Sequence, residues 1–169
     1  MKSCQDVGME TTTILINELE GHIDREDEEA ACRIGIALLQ IDPIGLEEFE
    51  VAIRAFILGA EGISDVEPMI LAAMERLPEW DRPMAEHCMF RLYALLDEFE
   101  KARTLMPDAP LDDADLVLFL KVYMENGEAT KAARTAEICR NALNGSVDEG
   151  GREIIRDALE EFDDSSSWR

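Results

Sequence analysis

Positive charge is scarce in this sequence. Lys and Arg number 16 against 38 Asp and Glu, for a formal net charge of −22. That balance argues against a nucleic-acid binder, because gripping a phosphate backbone takes clustered Lys and Arg that displace counterions. It disfavours an anionic membrane surface for the same reason. Basic partners stay compatible, and so does an apolar partner segment that must be kept soluble. Aromatics are also few, at 6%, while Ala, Leu and Glu abound, a mixture that favours helices over sheets. No apolar run approaches the roughly 18 residues of a membrane-crossing helix. The opening stretch MKSCQDVGMETTT has no apolar core of signal-peptide length. Cys4, Cys32, Cys88 and Cys139 form no C-x-x-C pair. A zinc site is therefore not expected, and free thiols in a reducing cytoplasm are.

Catalytic motifs are missing too. There is no G-x-G-x-x-G, P-loop or H-E-x-x-H pattern, so no catalytic residue, cofactor or metal is expected. Glu86-His87-Cys88 is not a working nucleophile pair by itself, since adjacent helix residues point about 100° apart. The acidic run DREDEE at 24–29 lacks the glycine and spacing of a calcium loop. It reads as a solvated helix start, favoured by the helix dipole.

What the chain does have is helical periodicity nearly end to end. Its 169 residues suit one domain with a real core. About nine helices are expected, over roughly 11–21, 26–41, 45–60, 64–77, 82–96, 98–106, 113–126, 128–143 and 146–162. Short connections imply antiparallel neighbours. Asp24, Ser64, Asp112 and Ser146 are the expected starts, and Gly127 is an expected turn. In the ninth helix Ile154, Ile155, Ala158, Leu159 and Phe162 fall on one side. Residues 1–10 read as a flexible N-terminus, 11–162 as a single helical domain, and 163–169 as a disordered acidic, Ser-rich tail.

An internal repeat runs through this pattern. FRLYALLDEFEKA at 90–102 lies over LKVYMENGEATKA at 120–132, offset by 30. Tyr93 matches Tyr123, Glu98 matches Glu128, and Lys101-Ala102 matches Lys131-Ala132. Each Tyr is followed nine residues later by Ala. LEGH at 19–22 makes a worn copy, with Ala31 nine residues after His22. Phe56 precedes Tyr93 by 37, but Asp65 stands where its Ala is expected. An aromatic on one helix needs a small residue opposite it, and helix pairs must stack to bury their apolar faces.

Two helices with a late aromatic in the first, a small turn and Ala in the second resemble the tetratricopeptide repeat, whose period is about 34 residues. YMENGEATKAARTAE at 123–137 carries the resemblance best, followed by YALLDEFEKA at 93–102, and LLQIDP at 38–43 looks like the close of such a repeat. It covers about residues 12–145. It implies an all-α, antiparallel helix-pair solenoid, with the ninth helix as a C-terminal cap. It also implies a non-enzymatic function: another protein, as an extended segment or amphipathic helix, held in a concave groove. In size, charge and repeat count the chain is similar to the small acidic tetratricopeptide chaperones of type III secretion. That similarity implies a chaperone for an apolar client, with dimerisation through the first helices as an option. The alternative is an acidic decoy that mimics nucleic acid and blocks a basic protein.

Three fragments, IRAF at 53–56, FRLY at 90–93 and LKVY at 120–123, each place a cation between apolar residues. Arg54 lies about 100° from Ile53 and about 160° from Phe56 around the helix, off the core face. In one reading Arg54, Arg91 and Lys121 form a ladder in the groove, with Met84, His87 and Met124 as adaptable neighbours. In the other they are ordinary solvated cations offsetting local acid, such as Glu50 four residues before Arg54.

Overall fold

The computed structural model describes residues 13–19, 21–22, 25, 27–59, 63–145 and 147–166. Among these, all regular structure is helical and none is strand. The α-helices are α1 (13–19 and 21–22), α2 (Glu28–Leu39), α3 (Leu46–Gly59), α4 (Glu67–Arg76), α5 (Arg82–Leu95), α6 (Phe99–Leu105), α7 (Asp113–Glu125), α8 (Ala129–Leu143) and α9 (Glu149–Ser166). The all-α expectation therefore holds. Contacts divide the chain into two compact units, residues 1–92 and 93–169. The sequence has no linker there because the division falls inside α5.

Caps show where the helix starts differ from expectation. Asp27 caps α2 by accepting from the Ala30 amide at 3.2 Å; Asp24 lies outside the described residues. Ser64 sits in a 3-10 turn, Ile63–Asp65, and is not the N-cap of α4, which begins at Glu67 behind Val66, with Pro68 in the tolerated first turn. Asp112 caps α7 as expected, accepting from the Asp115 amide at 2.9 Å. For α9 the cap is Asp148, which accepts from the Gly151 amide at 2.7 Å; Ser146 lies outside the described residues. The tail expected to be disordered from 163 is helical as far as Ser166, and Asp163 accepts from Arg140 at 2.6 Å. Residues 1–10 lie outside the described residues, as does the centre of the GAEGIS break.

In the first unit α2 packs along α3 and also touches α4. Close approach of α2 and α3 depends on glycine. A Cβ on Gly59 would meet the Glu28 carbonyl oxygen at 2.4 Å, and one on Gly35 would meet the Phe56 ring at 3.0 Å. Phe56 thus faces Gly35 of the preceding helix, so the missing Ala at position 65 leaves its ring with a small partner all the same. Arg76 of α4 donates to the Leu39 and Ile41 carbonyls and satisfies the otherwise open C-terminal end of α2.

In the second unit α6 packs on α7, α7 on both α8 and α9, and α8 on α9. Leu116, Leu120, Ala132, Ala136, Cys139, Ile155 and Leu159 form its buried core.

The repeat appears as one turn made three times. The Glu98 amide donates to the Tyr93 carbonyl at 2.8 Å, Glu128 to Tyr123 at 2.9 Å, and Asp27 to His22 at 3.0 Å. The next helix then opens alike, with Ala102, Ala132 and Ala31 donating to the Glu98, Glu128 and Asp27 carbonyls. The residue before Glu98 and Glu128 is left-handed in each case, Asp97 at φ 60° and Gly127 at φ 69°. This six-to-one closure is the Schellman pattern that ends a helix and reverses the chain. At His22, where an imidazole stands in the aromatic's place, the same two backbone hydrogen bonds are made, from Asp27 and from Ala31.

Candidate functional site

A groove of about 290 Å³ opens in the second unit. Leu95 ends α5 and forms one wall. Val117, Leu120 and Met124 of α7 form the floor, and Ile154, Asp157, Ala158 and Glu161 of α9 the other wall. Leu95 and Ile154 are 48% and 49% exposed, high for residues of that size on an apolar trough. The volume lies at the lower edge of the roughly 300–1,000 Å³ typical of small-molecule sites, enough for a few side chains.

The walls follow from helical spacing. On α9, Ile155 and Leu159 are buried in the core, with Phe162 against it. Ile154, Asp157, Ala158 and Glu161 recur at i, i+3, i+4 and i+7, so they form a second stripe rotated from the first. The sequence reading put Ile154 and Ile155 on one side. The structure separates them: Ile155 goes inward and Ile154 to the groove. The stripe was visible in the spacing, but nothing in the sequence distinguishes an unpartnered helix face from a solvated one.

Of the six residues singled out from sequence, Lys121 and Met124 line this groove. The Lys121 ammonium is engaged by its neighbours: Nζ lies 3.1 Å from Asp97 Oδ1 and 5.3 Å from the centre of the Phe99 ring. Its charge pairs with the left-handed Asp97 of the α5–α6 turn. Arg54, Met84, His87 and Arg91 belong to the first unit. Arg54 is exposed, and among the described residues no ion pair joins it to Glu50. Met84 is exposed. His87 is only 6% exposed, a poor surface for a ligand. Its Nε2 lies 3.2 Å from Arg91 Nε, and its ring centre lies 6.1 Å from that of Phe90.

The repeat itself uses cations in a way the sequence reading missed. Lys101 lies over Tyr93 and Lys131 over Tyr123, each at 5.4 Å from the ring centre. Arg103 lies over Tyr123 from α6, at 5.5 Å. Arg103 also bonds Glu128 through Nε and through Nη2, the latter at 3.4 Å from Oε2. Hydrogen bonds from Arg103, then from Lys131, hold the Glu128 carboxyl down at about 2. The same bond raises the Arg103 guanidinium. This cluster binds α6 to the turn before α8.

Burial pushes the Cys139 thiol up to about 11, the opposite of an activated nucleophile. Among the described residues no three of His, Cys, Asp and Glu converge to hold a metal ion. No helix there is long and apolar enough to cross a membrane. The chain matches no protein-family model, no curated protein and no solved structure.

Proposed function

We propose that the chain is a non-enzymatic protein-binding module or chaperone that holds an apolar segment of a partner protein in a concave groove. The observation that carries this reading is the groove on α7, with Leu95 and Ile154 half-exposed in its lining. Large aliphatic side chains left open to water along a trough gain free energy when a partner covers them, about 25 cal/mol for each Å² of apolar surface. Stacked helix pairs supply such a trough when their first helices lie side by side. The three-fold turn, and the packing of α7 on both α8 and α9, support that arrangement as a tetratricopeptide-like solenoid with α9 as its cap. A charge of −22 keeps such a module and an apolar client in solution. Similarity in size, charge and repeat count to type III secretion chaperones supports a secretion chaperone as the specific version, acting in the cytoplasm.

The test is capture of a partner from native lysate by the chain and by a Leu95→Ser/Ile154→Ser variant. Both side chains are exposed enough for the variant to keep its far-UV circular dichroism. The expected result is an identified partner that the variant loses. Equal recovery by the variant refutes the groove.

A further inference from the structure

Resting on that reading, the groove also carries information about its occupant. We propose that it takes an amphipathic helix bearing Lys or Arg at four-residue spacing, and that Asp157 and Glu161 read this charge while Lys121 does not. Most of the lining is apolar, so the occupant must present an apolar stripe. The α9 wall ends in Asp157 and Glu161, four residues apart and therefore one above the other on one helix face. Both are exposed, and among the described residues neither pairs with a cation. Two carboxylates one turn apart match two cations one turn apart on a helix laid alongside, the groove-bound helix geometry. Among the described residues that line the groove the cation is Lys121, and it is engaged by Asp97 at 3.1 Å. Its charge is thus offset and leaves the acidic wall to set the sign. The cation singled out by the sequence supports the floor of the site, and the partner's charge is read by acids on the last helix.

The probe is a fluorescent Leu/Lys peptide with leucines at i, i+3, i+4 and i+7 and lysines flanking them. It is compared by anisotropy with a peptide carrying Glu for Lys, and with one broken by a central Pro. The full chain is tested beside Asp157→Asn/Glu161→Gln, and beside Glu47→Gln/Glu75→Gln, a first-unit variant with the same change in net charge. Leu95→Ser/Ile154→Ser reports on the groove itself. The expected pattern is clear preference for the Leu/Lys helix and a loss of about fivefold in the Asp157/Glu161 variant, the scale of two exposed ion pairs. The Glu47/Glu75 variant should change affinity less than about twofold. Equal losses in the two charge variants would show a general effect of net charge and overturn the role of Asp157 and Glu161. Equal affinity for the Lys and Glu peptides, both lost in Leu95→Ser/Ile154→Ser, would overturn the charge reading and leave the groove standing. Full binding of the Pro-broken peptide would overturn the helix. No loss in Leu95→Ser/Ile154→Ser would overturn the groove as the site and this inference with it, as would failure of every peptide to bind.

Discussion

Gly127→Ala isolates the backbone of the repeated turn. Gly127 has φ 69°, and a Cβ built there meets nothing within 4 Å. The substitution therefore adds no steric clash, and its cost is conformational. An L-residue in the left-handed region costs roughly 1–2 kcal/mol. The reduced freedom of the unfolded chain returns about 0.4–1 kcal/mol. The net loss is about 1 kcal/mol, a fall in Tm of about 2–4 °C for a chain of this size. Gly150→Ala gives the opposite sign. Gly150 is helical, and its added Cβ meets only Asp148 Oδ1, at 3.7 Å, so alanine should stabilise by about 0.5 kcal/mol. Urea unfolding followed by circular dichroism resolves both, with Gly127→Asn falling between Ala and wild type. A Gly127→Ala chain as stable as wild type would mean that the turn is not left-handed. The common geometry of the turns after Tyr93 and Tyr123 would then fail.

Three further outcomes follow from named contacts. The Glu128 carboxyl is ordinarily near 4.5 and is held at about 2 when folded, so its contribution is complete above about 4.5 and is lost as pH falls toward 2. Glu128→Gln should lose less stability than wild type across that window, and parallel acid-unfolding curves would refute the pairing. Gly59→Ala drives a Cβ to within 2.4 Å of the Glu28 carbonyl oxygen, forcing α2 from α3; urea unfolding should show a loss of about 1–3 kcal/mol. Cys139, buried and held at about 11, should resist iodoacetamide at pH 8 until urea unfolds the chain, as mass spectrometry would show; rapid native labelling would contradict its place in the core.

Much of the local structure was legible. The 3.6-residue pattern located the helices, and Asp112 and Gly127 marked a start and a stop, because caps and turns depend on neighbours in sequence. At His22 too the Asp27 amide closes on the carbonyl five residues back, since that hydrogen bond joins backbone atoms and tolerates a changed side chain. Ser64 misled because its capping-box spacing to Glu67 is a local pattern, and the chain instead spends Ile63–Asp65 in a 3-10 turn that buries Ile63. Phe56 seemed to lack its small partner because the residue that supplies it, Gly35, precedes it.

The sequence by itself determined an acidic all-helical chain, the approximate helix order, and a turn used three times. These depend on periodicity, composition and contacts a few residues apart. Only the tertiary structure decided which faces meet. It sent Ile155 into the core and Ile154 to the groove, buried His87, and turned the Lys121 charge onto Asp97. Each of those outcomes depends on a neighbour from another helix or on the angle at which two helices cross, and neither quantity is written in the spacing along one chain.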